Sequence, residues 1–202
     1  MRTFTAALAT VGLTLVAAPC FAQEFSNQKD LAVSVDRLFG FHFSHLDRDT
    51  PNTDFDASSF QLGWRGRTLT PFEVPRAAID YFVIDHLSIG GAIGIGSYGG
   101  DADGSDFLFA PRVGYVWNLA DWAAFWLRGG LTFHTQSQPN EHGFAFTADP
   151  TFVLSPAQHV GFLLGFSFDQ DLVGKTDAGP GPDQNQHYRD FAIVQAGMLV
   201  WF

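Results

Sequence analysis

Phe191-Ala192-Ile193-Val194-Gln195-Ala196-Gly197-Met198-Leu199-Val200-Trp201-Phe202 closes the chain on an aromatic residue. Counting back in twos from Phe202 gives Val200, Met198, Ala196, Val194 and Ala192, an apolar face with the period of a β-strand. Gln195 and Gly197 lie on the other face. A strand with an apolar outside and a small or polar inside is what a membrane barrel needs at every stave. The rest of the chain can be tested against that pattern.

Of 202 residues, 22 are Phe and 21 Gly, aromatic residues make up 15%, and charged residues 16%. Bulky apolar groups are therefore abundant without forming long runs. Beyond the N-terminus no run reaches the roughly 18 uninterrupted apolar residues that a membrane helix needs. A closed barrel is the other way to satisfy every backbone group in lipid.

The N-terminus reads as a secretory signal over residues 1–22. Met1-Arg2 supplies a positive start, Ala6 to Ala18 an apolar core, and Cys20-Phe21-Ala22 small residues at the −3 and −1 positions, with cleavage expected after Ala22. Pro19 stands where a lipobox requires a small residue, which argues against lipidation of Cys20. Cleavage removes the only cysteine, leaving no disulfide, thiolate nucleophile or Cys metal site in the mature domain, 23–202. The formal net charge is −10, and loss of Arg2 with the signal takes it to −11. Nucleic acid is not an expected partner.

Gln23 to Asp30 is a polar lead, and a first strand follows at Val33–Leu46, with Phe39, Phe41 and Phe43 opposite Leu38, Gly40, His42 and Ser44. Further strands are expected at about 74–83, 87–98, 107–117, 122–134, 143–154, 158–168 and 189–202. Each is long enough to cross a bilayer at a tilt. The short connections Ile84–His86, Asn118–Asp121 and Ser155–Ala157 belong on the periplasmic side, and the longer polar ones outside. Strand parity then makes Asp47 to Glu73 one long outer excursion. Residues 58–67, although alternating, are read as an extended segment of that loop, prolonging the barrel wall above the membrane, rather than a ninth membrane strand.

Ile89, Ile93, Ile95, Phe109, Val113, Phe146, Phe162 and Phe166 represent the faces expected to meet lipid. Tyr81, Tyr115, Trp117, Trp122, Trp201 and Phe202 fall at strand ends, as in an aromatic girdle. Gly90, Gly94, Gly96, Gly114, Gly130, Gly161, Gly165 and Gly197 lie opposite, and small inward residues suit an eight-stranded barrel too narrow for an open pore. A secreted lipocalin-like barrel, apolar face inward, is the alternative. The aromatic weight of the apolar face and the Gly and charge of the other oppose it.

Over the mature chain this pattern, with Val200 and Phe202 at its end, resembles the small eight-stranded outer-membrane β-barrels of the outer membrane protein A and X type. The resemblance implies an all-β, antiparallel up-and-down transmembrane barrel in the Gram-negative outer membrane. It also implies recognition of Val200 and Phe202 by the barrel-assembly machinery, and contact with membrane lipids and lipopolysaccharide. The pattern is architectural and carries no activity motif.

Arg76, Asp80, Arg112, Arg128 and Asp149 fall on inward faces, where a lone charge would cost several kcal/mol, so they are expected to form a lumen ion-pair network. His42-Phe43-Ser44 resembles the His-x-Ser pair of outer-membrane lipid A deacylases. Here, however, His42 alternates with lipid-facing phenylalanines and lacks an evident glutamate partner. Asp101 to Asp106 lacks the glycine position and final glutamate of a calcium loop and reads as a solvated turn. Asp47, Asp49, Asp54, Asp56, Asp101, Asp103, Asp106, Asp169, Asp171, Asp177 and Asp183 are assigned to outer loops, where weak divalent-cation binding beside lipopolysaccharide is plausible. Asp169 to His187, with Gly179-Pro180-Gly181-Pro182, has a loop composition suited to an external partner. The expected function is therefore a structural or surface-interaction role, with no enzymatic activity, cofactor or metal. The alternatives are a small-solute, porin-like channel and a lipid A-modifying acyl hydrolase using His42 and Ser44.

Overall fold

The computed structural model describes residues 25–48, 54–64, 70–99, 103–138, 140–177 and 183–202. The signal segment 1–22 lies outside them. Nine antiparallel strands form one ring: β1 Leu31–Arg48, β2 Phe55–Leu62, β3 Arg76–Ile84, β4 Leu87–Tyr98, β5 Gly104–Ala120, β6 Ala123–Ser137, β7 Asn140–Ala157, β8 Val160–Thr176 and β9 Gln184–Trp201. Each strand from β3 to β9 pairs with the next, and β1 closes the ring on β9. Asp85–His86, Asp121–Trp122 and Gln158–His159 are two-residue turns at the end of the ring that holds Phe25 and Phe202.

The excursion expected over Asp47 to Glu73 is corrected in part. Its middle is β2, which pairs along the upper half of β1 from Phe39↔Leu62 to Leu46↔Phe55. β3 takes the lower half of the same β1 edge, from Leu31↔Tyr81 to Asp36↔Arg76. Together β2 and β3 make one stave in two pieces, so nine strands still build eight staves. The alternation over 58–62 is that of a wall strand, and the even stave number survives because β2 covers only half the height of β1. Residues 65–67 lie outside the described residues. Between the pieces the chain turns inward through a 3₁₀ turn, Pro71–Glu73, all of it buried.

The outward apolar band runs on β5 from Trp117 to Phe107 and on β8 from Phe162 to Phe168, with Phe41, Phe43 and Phe191 at the same upper level. Ten residues of a strand tilted by roughly 40° cover about 25 Å, the height of a hydrocarbon core crossed by a barrel. Above the band sits an outward polar row, Asp56, His45, Arg189 and Gln170, in cross-strand register.

The closing strand does not keep one parity throughout. Met198 and Val200 face out, but Val194 adopts φ 53. The register on β1 shifts between Val35 and Phe39 and again before Phe41. Above this bulge Ala192 points in, fully buried, and Phe191 points out. Trp201, expected in the girdle, is also buried and faces the lumen. Phe202 and Val200 remain on the outer face.

Inward glycines give room where it is used. A Cβ on Gly94 would lie 3.3 Å from Val74 Cγ1, and one on Gly96 would meet the Asp106 carboxylate at 3.1 Å. The bare stripe on β4 therefore admits the inward-turning segment.

Candidate functional site

Three layers fill the lumen. At the end with the two-residue turns Phe25 packs edge-on against Phe82, Trp126 and Trp201, with ring centroids 5.3 Å apart in each case. The expected polar lead is thus a strap with an apolar anchor. It is pinned to the β3–β4 turn by His86 N–H donating to Ser26 O (2.9 Å), Lys29 N–H to Phe82 O (2.8 Å) and Gln28 N–H to Asp85 Oδ1 (2.8 Å). Asp30 lies within this strap, outside the membrane band, and burial pushes its carboxyl up from the ordinary value.

The middle layer is ionic. Arg112 holds Asp80 through Nε (3.0 Å) and Nη2, and Asp36 through Nη1 (2.6 Å). Arg128 reaches Asp36 at 3.1 Å while its guanidinium lies 4.5 Å over the Trp126 ring, which joins this layer to the one beneath. Arg37 bridges Asp149 (2.8 Å) and Asp169 (2.7 Å), and Arg76 reaches Asp169 at 3.4 Å. All five residues expected in a lumen network are buried at this level. Arg112 meets Asp80 directly. Asp149, Arg76 and Arg128 find their partners in Arg37, Asp169 and Asp36, which sequence reasoning missed.

The reason is local. Arg37 has φ 58, in the left-handed region, so Asp36 and Arg37 both turn inward although adjacent in a strand. A classic-parity reading places one of them in lipid, and two neighbouring charges at mid-strand are the signal of a bulge. Asp169 was assigned to a loop, yet β8 runs to Thr176 and keeps Asp169 and Asp171 inward. Asp106 is likewise buried on β5 rather than in a solvated turn. Of the other acids assigned to loops, Asp47, Asp54, Asp56, Asp103, Asp177 and Asp183 are exposed, while Asp49, Asp101 and residues 179–182 lie outside the described residues. Four arginines and four aspartates make the middle layer neutral, and a buried set of this kind holds only while every charge keeps a partner.

The upper layer forms around Phe72, fully buried, with His134 5.1 Å and Tyr188 6.4 Å from its ring. Arg37 Nη1 donates to Phe72 O (3.1 Å), tying the inward turn to the ionic layer. Tyr188 donates to Glu141 Oε2 (2.6 Å), and His134 Nε2 meets Asp171 Oδ1 (2.8 Å). Glu141 lies above the membrane band, where burial pushes its carboxyl up. Burial and the neighbouring carboxylate push the Tyr188 phenol up as well.

His42 and Ser44 face this layer, both buried, and share Asp190. Ser44 Oγ donates to Asp190 Oδ1 (2.5 Å), and His42 Nδ1 meets Asp190 Oδ2 (2.9 Å). His42 Nε2 lies 3.0 Å from Gln61 Oε1, with the Gln61 amide oriented by its own donation to Arg37 O (2.8 Å). The two ring nitrogens of His42 are thus engaged by Asp190 and Gln61, and the Ser44 hydroxyl is held by Asp190 rather than by His42. Among the described residues no three His, Asp or Glu side chains converge as a metal site.

No family model and no curated protein matches the sequence. Solved structures do match in fold. The outer membrane protein AlkL in lipid bilayers is 12% identical, with a TM-score of 0.51 over 100% of this chain and 97% of that one. The outer membrane protein OprG from Pseudomonas aeruginosa is 10% identical, with a TM-score of 0.50 over 86% of this chain and 97% of that one. The likeness is one of fold: this chain has the barrel fold of these small outer-membrane proteins.

Proposed function

We propose that this chain is a closed, non-conducting barrel of the Gram-negative outer membrane whose work is done at its outer surface. Its role is structural or in contact with what lies outside, without catalysis. The observation that carries this reading is the lumen filled at three successive levels: the Phe25 cage, the neutral ionic layer, and the inward turn at Phe72. An ion crossing the barrel would have to part all three. Above the membrane band the strands extend outward and present Asp47, Asp54, Asp56, Asp177 and Asp183 to solvent, which suits contact through cations or a basic partner. Val200 and Phe202, both lipid-facing, are the residues offered to the assembly machinery.

The experiment is planar-bilayer conductance of the refolded protein. Wild type is expected to be silent. Regular steps that vanish when Arg112 or Arg128 is replaced would overturn the reading. Catalysis is tested separately: Ser44→Ala is expected to leave the lipid A profile of cells unaltered, and a changed profile would reinstate the hydrolase.

One feature favours small-solute passage as a second reading. β3 begins at Arg76 opposite Gly94, and above that point β2 and β4 are not neighbours in the sheet among the described residues. Val74 sits just inside this seam. Swelling of protein-containing liposomes in small neutral or apolar solutes, without electrical conductance, would support passage through the wall.

A further inference from the structure

Where the aromatic band of the wall gives way to the polar row above it, the outer face carries a groove of about 590 Å³ across β2, β1, β9 and β8. Its floor is Phe43, Phe168 and Phe191, which stand in one cross-strand row, Phe43↔Phe191↔Phe168. Phe166 stacks on Phe191 at 6.5 Å with 8° between the rings, which stiffens that floor from below. The rim is the next row up, Asp56↔His45↔Arg189.

The rim's charges are unequally committed. His45 Nδ1 holds Asp56 Oδ1 at 2.7 Å, so the acid is engaged on the side away from Arg189. Arg189 uses Nε to hold Gln170 Oε1 at 2.7 Å. This fixes the direction of the guanidinium, and its two terminal nitrogens make no hydrogen bond to a described residue. A fork of two N–H donors above an aromatic floor is complementary to a phosphate whose acyl chains lie below it. The position selects the lipid. The groove lies at the end of the barrel opposite Phe25, Phe202 and the two-residue turns, and therefore in the outer leaflet.

We infer that this groove binds one lipid A moiety of lipopolysaccharide, its phosphate on the Arg189 guanidinium and an acyl chain along Phe43, Phe191 and Phe168. The inference rests on the outer-membrane placement proposed above. It adds a defined site to a general lipid environment.

The test uses the refolded full-length mature barrel in detergent, with native mass spectrometry reading the lipid bound. The probes are bis-phosphorylated lipid A, the same lipid after phosphatase treatment, and phosphatidylglycerol. Heat-modifiable migration on gels checks that each variant is folded. Wild type is expected to retain one lipid A. Arg189→Gln is expected to weaken binding about tenfold, the scale of one charge-assisted contact, and dephosphorylation to weaken it similarly. Lys175→Gln removes an exposed cation outside the groove and is expected to change nothing. Equal binding by wild type and Arg189→Gln overturns the site. So does an equal loss in Lys175→Gln, which would mean diffuse charge attraction, or equal retention of phosphatidylglycerol, which would mean that any anionic lipid suffices. A barrel that fails to insert into liposomes overturns the membrane placement itself, whereas an inserted barrel indifferent to Arg189 overturns the site alone.

Discussion

Arg112→Leu is the substitution that most directly interrogates the ionic layer. Arg112 makes three hydrogen bonds to Asp80 and Asp36, and Asp80 is fully buried. Asp36 keeps Arg128 when Arg112 is removed, but Asp80 has no other salt-bridge partner among the described residues. Stranding one buried charge in this way costs about 3–5 kcal/mol. Asp80→Asn alone loses the charge-assisted pairing while retaining an acceptor, and is expected to cost about 2 kcal/mol. The informative variant is the double one. With Asp80 already neutral, removal of Arg112 strands no charge, so the two losses fall short of their sum by about 2 kcal/mol. The assay is reversible urea unfolding in lipid vesicles, read by tryptophan emission and by heat-modifiable migration. Strictly additive losses, or an Arg112→Leu variant as stable as wild type, would show that Asp80 is solvated or paired elsewhere and would refute the layer as described.

Phe25→Ala empties the cage at the periplasmic end. It is expected to cost up to about 3 kcal/mol and to red-shift the emission of Trp126 and Trp201 as water enters; unchanged emission would mean that the strap does not seal that end. Val194→Gly relieves a β-branched residue at φ 53 on the lipid-facing side and is expected to stabilise the barrel by roughly 0.5–1 kcal/mol, so a clear loss in the urea midpoint would place the strain elsewhere. Burial raises the folded carboxyl of Glu141 above its ordinary 4.5. Its contribution to stability is therefore fully present below the unfolded value and is lost as pH rises through the folded one. Wild type should gain on Glu141→Gln as pH falls toward about 4.5, and parallel stability curves for the two proteins across that range would contradict the raised value.

Period-2 alternation made seven of the staves readable from sequence, because one face of each must meet lipid and the other a crowded interior. It misled wherever the backbone broke period. Arg37 and Val194 sit in the left-handed region: at Arg37 two neighbours, Asp36 and Arg37, both enter the lumen while even positions stay inward on either side, and beyond Val194 the faces reverse, so Ala192 exchanges places with Phe191. Nothing in the residue types alone announces a β-branched valine at positive φ. The split stave was missed for a different reason: strand counting treats each alternating segment as a full crossing or as none, and β2 is neither. Asp169 and Asp171 looked like loop residues because acidic residues near Gly and Pro suggest solvent. The inward parity begun at Gly161 and Gly165 continues through both. The charges expected to pair were readable as buried, but their partners depended on these bulges and extensions.

The interrupted stave separates two things that most barrels couple. In a continuous stave every residue is committed to the wall, and the interior is whatever the inward faces happen to supply. Here the chain leaves the wall near Leu62 and rejoins it at Arg76 beside the same neighbour, and between them Phe72 and Val74 are buried inside the ring rather than in its ladder. The cylinder behaves as a socket with an insert: the two lower layers belong to the wall and the lead strap, while the upper one is built around a side chain, Phe72, that the wall does not supply.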